Sequence, residues 1–373
     1  MRRRSERGVL FMSRVTVGVS GGGVNAIRLV SMIVDVWCLM RFGLFLQPLH
    51  HPTADPTMAL ESDLDLVVLL DELGFSEAWI GEHHSSGWEN IGAPEAFIAA
   101  AAERTHQIQL GTGVIQLGLH HPLVALDRMI FLDHLTKGRT SFGMGVGGGI
   151  PSDLSVFGLD PESAGRRLNE SIEAMLALLD GSAPVSMKTD WFEMNEAVLQ
   201  VRPFTDPHMP LAMASAHPDN AALMGRHGGS VLLGGPPASV PGVWENLRRG
   251  ASEVGREASR DQIMMSTVLH LAETTEKARD GFRDGAIAEF YEFQVGWNRR
   301  PEPEGTPQDW YESYVAKHII GSAADAIEAL EWMSEESGGV GGVIFMTRDW
   351  AGVEAQRETW RLFADEVAPH FSG

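Results

Sequence analysis

From residue 40 onward the apolar positions keep changing period. "MRFGLFLQ", residues 40–47, is an apolar run that ends beside a proline, as a strand does. Leu60, Leu64, Val67, Val68 and Leu70 then recur at helical spacing, and Gly74 follows as a C-cap. The switch repeats along the chain. Strand-like runs are "EAWIG", "IQLGTGVIQLG", "RTSFGMGVGG", "PLAMAS", "SVLLGG", "IMMSTVLHLA" and "GGVIFMT". Helix-like stretches separate them, among them "GAPEAFIAAAAERT", "HPLVALDRMIFLDHLTKG", "ESAGRRLNESIEAMLALLDG" and "HPDNAALMGRHG". Further helices are expected over about 240–255, 275–289 and 323–337, with a closing one to about 367. Eight strands, each followed by a helix, predict an α/β fold, a (β/α)8 TIM barrel over 40–373. Two stretches interrupt the alternation. Residues 182–209, after the fourth helix, read as short strands, and residues 290–321, after the seventh, are rich in Trp, Tyr and Pro.

Barrel chemistry collects where strands end and loops begin. His50-His51, Glu82-His83-His84, His120-His121, "GVGGG" and "SAHPDN" all fall there. Adjacent side chains on extended backbone point opposite ways, so a histidine pair rarely supplies two metal ligands. The expectation is therefore no catalytic metal, with most of these histidines serving as loop or helix-start residues. "GMGVGGG" does not open a helix directly, because "IPSDLSVFG" intervenes, so it is a poor dinucleotide fingerprint. It reads better as a loop against a flat ligand, and Gly111 and Gly113 give the same hint. The amides that open "HPDNAALMGRHG" suit a phosphate, though an ordinary capped helix would look the same.

Composition narrows the function classes. The chain has 373 residues and a formal net charge of −21, which repels nucleic acid and anionic membranes. Cys38 is the only cysteine, so no internal disulfide forms, in keeping with a cytoplasmic location. Residues 1–39 differ, with six arginines against Glu6 and Asp35. They are expected to stand outside the barrel, as a disordered extension or as mistranslated sequence upstream of a true start at Met40. Their apolar part is too short and too charged to cross a membrane.

"AWIGEHH", "LGTGVIQLGLHHPLVALDRMIFLDHLTKGRTSFGMGVG" and "SVFG", in this order, resemble the bacterial luciferase-like flavin-dependent monooxygenase superfamily. "DWFEMNEAVLQVRPF", "MASAHPDNAALMGRHG" and "VAPHF" are similar to its limonene-monooxygenase-type branch. The resemblance covers nearly all of residues 40–373. It implies a barrel that takes reduced FMN from a separate flavin reductase and uses O2, through a flavin C4a-hydroperoxide, to oxygenate a small apolar substrate such as a terpene or aldehyde. An F420-dependent hydride transfer and a non-catalytic flavin-binding partner subunit are the alternatives. A homodimer is expected.

Residue by residue, the resemblance makes His83 the catalytic proton carrier, with a pKa near neutrality and with Glu82 and His84 fixing its tautomer. It places a non-proline cis peptide behind the flavin at Gly113-Val114, after Thr112. Gly145 and Gly147 lie along the cofactor. Ser215, Ala216, His217 and Asn220 hold phosphate, helped by Arg167, with Arg166 as the other candidate. Val146 stands where luciferase has a further phosphate-binding arginine. Residues 290–310 are the expected lid.

Overall fold

The computed structural model describes residues 40–147 and 150–371, so the expectation for residues 1–39 lies outside them. In chain order the strands are β1 (Arg41–Leu46), β2 (Glu77–Ile80), β3 (Gln109–Thr112), β4 (Ile115–Gln116) and β5 (Thr140–Gly145). A hairpin, β6 (Val185–Lys188) and β7 (Glu193–Ala197), comes next. Then follow β8 (Leu211–Ala214), β9 (Ser230–Gly234), β10 (Ile263–Leu271), β11 (Ile319–Gly321) and β12 (Gly342–Met346). Parallel pairing runs β1-β2-β3-β5-β8-β9-β10-β12 and returns to β1, closing the expected eight-stranded barrel.

Helices α1 (Pro56–Glu72), α2 (Pro94–Ala102), α3 (Pro122–Thr136), α4 (Pro151–Val156), α5 (Pro161–Asp180) and α6 (Pro218–His227) all open on proline. Its missing N–H costs nothing in the first turn, and its fixed φ is already helical. The remaining α-helices are α7 (Val240–Glu253), α8 (Thr275–Glu289), α9 (Pro307–Val315), α10 (Ala323–Ser337), α11 (Val353–Leu362) and the short α12 (Ala368–Phe371). Among the described residues no helix is long and apolar enough to cross a membrane.

Three local features depart from the sequence pattern. The third strand is one apolar run in sequence, but the cis bond Gly113-Val114 divides it into β3 and β4. "IPSDLSVFG", to which the sequence pattern assigned no element, contains α4; six residues are too few to display a helical period. The second insertion starts as a π-helix, Phe290–Trp297, that continues α8, and it ends in β11 beside β10.

Side chains fill the barrel. Trp79, Ala212, Leu232, Met264 and Ile344 form its interior cluster, with Phe45 and Val114 packed on it. The glycines of "LGTG" serve this packing. A Cβ on Gly111 would strike the Trp79 indole, and one on Gly113 would come within 2.8 Å of Trp79 Cβ. Gly111 thus makes room for a tryptophan rather than for a ligand.

Candidate active site

The mouth of the barrel holds a cavity of about 320 Å3. Its lining includes Phe45, Val114, Ile150 and Phe293 as apolar groups and His83, Glu89 and Gln116 as polar ones. Strand β2 delivers Glu82 and His83 to this wall, and the turn that follows returns Glu89 to it, pinned by a bridge to Leu49.

His83 is clamped between two carboxylates. Its Nδ1 donates to Asp153 Oδ2 at 2.7 Å, and its Nε2 lies 2.9 Å from Glu89 Oε2. The second contact is off the N–H line, so it is an ion pair, and the Glu89 oxygen keeps an unfilled hydrogen-bonding position. Burial alone would lower the His83 pKa, but Asp153 and Glu89 outweigh it and push it up to about 10. His83 is therefore an imidazolium at neutral pH rather than a half-protonated shuttle, contrary to the sequence expectation. The residues that orient it also differ from that expectation: they are Asp153 and Glu89, not Glu82 and His84.

Asp153 organises the wall. Its Oδ1 accepts from the His84 amide at 3.0 Å and from Ser85 Oγ at 2.6 Å, while Oδ2 also accepts from Gln116 Nε2 at 3.0 Å. Burial would raise its pKa, but His83, Ser85 and Gln116 hold it well below the usual carboxylate range. Its position near the start of α4, just after Pro151, is what aims it at the β2 loop.

Glu82 and His84 belong to a neighbouring cluster. His84 Nε2 donates to Glu82 Oε1 at 2.8 Å, and His120 Nε2 donates to the same oxygen at 2.5 Å. The amide of Gln116 fills Glu82 Oε2 at 2.6 Å. Burial would raise the Glu82 pKa, yet these partners pull it down to about 2. The three ligand-type atoms lie within 4.8 Å of one another. Reasoning from adjacent pairs misses this set, because Glu82 and His84 are two residues apart and share a face.

The other expected site residues divide. Gly113, Val114, Gly145 and Gly147 line the cavity, and Gly113-Val114 is cis as the resemblance implies. Thr112 lies beneath, donating to Gly143 O at 2.8 Å and accepting from Gly143 N–H at 2.9 Å, so it ties β3 to β5. Ser215, Ala216, His217 and Asn220 follow Ala214, which does line the cavity. Ser215 Oγ accepts from the His217 amide and from Asn220 Nδ2, and His217 Nδ1 caps α6 through the Asp219 amide. Arg167 donates to Gly118 O at 3.0 Å and lies 4.8 Å over Trp191, away from the cavity lining. Arg166 pairs with Asp190 and Glu170. Sequence reasoning missed Asp153, Glu89, Gln116 and Arg300.

The sequence profile described as luciferase-like monooxygenase matches residues 40–341. The chain belongs to this family. It is 39% identical over 345 residues to a 4-hydroxyprotoasukamycin monooxygenase of Streptomyces nodosus subsp. asukaensis, covering 90% of this chain and 93% of the relative. It is 35% identical over 349 residues to limonene 1,2-monooxygenase of Rhodococcus erythropolis, covering 91% and 89%. Among solved structures, the oxygenating constituent of a Pseudomonas putida 3,6-diketocamphane monooxygenase in complex with FMN shares the fold. That match has a TM-score of 0.73 and 21% identity, and covers 88% of this chain and 98% of that one. An F420-dependent secondary alcohol dehydrogenase also shares it, with TM-score 0.67 and 18% identity over 88% and 98% of the two chains. The fold and enzyme class read from the sequence therefore stand.

Proposed function

We propose that this monooxygenase is the oxygenase component of a two-component system. It takes reduced FMN from a separate flavin reductase and uses O2 to oxygenate a small, largely apolar organic molecule, terpene-like or an aldehyde. The observation that carries this reading is the clamped imidazolium of His83 in the wall of a cavity bordered by Gly113-Val114.

The residues present fit a reduced flavin. Gln116 Oε1 and Glu89 Oε2 are buried acceptors without an aligned donor, and both residues line the cavity. Such orphan acceptors suit the N–H groups of a reduced isoalloxazine ring. When bound, reduced flavin supplies the electrons that activate O2. The chain's own groups then act around it. Phe45, Val114, Ile150 and Phe293 exclude water and receive an apolar body. The His83 Nε2 proton, not aligned on Glu89, is available to an oxygen acceptor in the cavity, while Asp153 fixes the ring.

The start of α6 is the proposed phosphate contact, since its leading amides lack helical partners and carry partial positive charge. His217→Asp keeps a capping side chain but adds a negative charge there. It is expected to weaken FMN binding several-fold, roughly the 0.3–1 kcal/mol scale of a charge at a helix end, and to spare riboflavin. Equal effects on FMN and riboflavin in equilibrium titrations would contradict the assignment.

No catalytic metal is proposed, because Glu82, His84 and His120 already satisfy one another. Turnover should survive exhaustive chelation and dialysis. Stoichiometric zinc or iron that leaves together with activity would defeat this.

The second reading is F420-dependent hydride transfer. It is favoured by Val146 and by the engagement of Arg167 elsewhere, both of which thin out the expected phosphate contacts. Spectral titration with FMN and with F420 separates the two, and tight binding of F420 alone would select the second. A cytoplasmic homodimer completes the proposal. The exposed apolar face of α3, with Val124, Phe131 and Leu135, supports the dimer.

A further inference from the structure

Arg300 lines the cavity together with Gly145, Val146, Gly147 and Ala214. Its guanidinium has no hydrogen-bond or ion-pair partner among the described residues. The arginines expected at the phosphate are engaged elsewhere, Arg166 on Asp190 and Glu170 and Arg167 on Gly118 and Trp191, while Arg348, bonded to the lining residue Gln47, is spent on it and on Thr347. An unpaired guanidinium at a cavity, in a chain of net charge −21, marks a place for an anion.

The segment that carries Arg300 is anchored at the cavity wall. Phe293 is buried and stacks on Trp88 with ring centroids 5.3 Å apart. The Arg300 amide donates to Gln294 O at 2.9 Å, and the Asn298 amide to Phe293 O at 2.8 Å. Asn298 Nδ2 donates to Gln294 Oε1 at 3.3 Å, and Asn298 Oδ1 remains a buried acceptor with no partner. The π-helix and the turn after it thus hold Gln294, Asn298 and Arg300 as one polar edge of the site.

We propose that Arg300 holds the phosphate of the bound flavin, closing the phosphate subsite from the insertion side. This rests on the flavin reading above. The other charged groups on the wall argue for it by elimination. Glu82 and Glu89 repel a dianion, and His83 is already paired with Asp153 and Glu89. Arg300 is the one free cation lining the cavity among the described residues, and its fork matches two phosphate oxygens at once.

The test is anaerobic absorbance titration of reduced FMN and of reduced riboflavin into wild type, Arg300→Gln and Arg300→Lys. Arg300→Gln should weaken FMN roughly ten- to hundred-fold, the range of a charge-assisted hydrogen-bond pair, and leave riboflavin unchanged. Arg300→Lys should recover part of the loss. Added salt should weaken FMN binding by wild type more than by Arg300→Gln. Riboflavin affinity serves as the control for folding. An unchanged ratio of FMN to riboflavin affinity in Arg300→Gln would overturn the role of Arg300 alone. Failure of wild type to bind either flavin would overturn the cofactor reading and this proposal together.

Discussion

His83→Ala should still bind reduced FMN but yield roughly 10²–10⁴-fold less oxygenated product, the usual share of a positioned acid–base group. O2 should instead be returned as hydrogen peroxide. The expectation follows from placement. His83 stands in the cavity wall, is cationic at neutral pH, and keeps one N–H that Glu89 does not fully engage. Removing the ring deletes that donor without touching Gly113-Val114 or the start of α6. His84→Ala should cost less, since His84 bonds Glu82 rather than His83. The check is product formed per reduced FMN consumed, with peroxide counted alongside. Unchanged coupling in His83→Ala would reduce this histidine to a structural residue.

Asp153 substitutions should have the second large effect, and on stability as well as turnover. Asp153→Ala removes the acceptor of His83, the His84 amide, Ser85 and Gln116 together. Breaking one partner of a buried ion pair costs about 3–5 kcal/mol, so this variant should melt well below wild type. Asp153→Asn keeps the volume and tests the charge. Folding lifts His83 from its ordinary 6.5 to about 10. The pairing therefore stabilises the fold fully below pH 6.5, and that contribution is lost as pH rises through about 10. Glu82 moves the other way: its contribution is present above the ordinary carboxylate range and is lost as pH falls through about 2. In Asp153→Asn the alkaline loss should begin at lower pH. Urea melts across the neutral to alkaline range measure it, and an alkaline limb identical to that of wild type would show that Asp153 does not hold the His83 proton.

The sequence made the scaffold legible because each barrel strand is a short apolar run and most helices carry a proline at the start. The period alone placed α8 and α10 within their observed bounds. What it did not reveal were the features made by few residues or by distant ones. Strand three looked continuous because Gly113 and Val114 are as apolar as their neighbours, although a cis bond between them divides the run into β3 and β4. Helix α4 is too short to show a period, and with it went Asp153, the main partner of His83. Glu89 gives no local signal; it matters only because the turn after β2 folds back to place it 2.9 Å from His83 Nε2. The glycines around Thr112 were read as a ligand surface, yet Gly111 serves the bulk of Trp79. Arg300 sits in an insertion whose composition suggested a lid, but whose free charge is visible only once the partners of its neighbours are known.

The central claim, that this chain places O2-derived oxygen into an organic molecule at the His83 wall, is tested most directly by one single-turnover measurement. Purified protein loaded anaerobically with reduced FMN is mixed with isotopically heavy O2 and a panel of limonene and aliphatic aldehydes, and the products are weighed by mass spectrometry. The account predicts one heavy oxygen atom in the product of wild type and nearly none with His83→Ala, which should release peroxide. Product without heavy oxygen, or hydride transfer that proceeds equally well without O2, would contradict it.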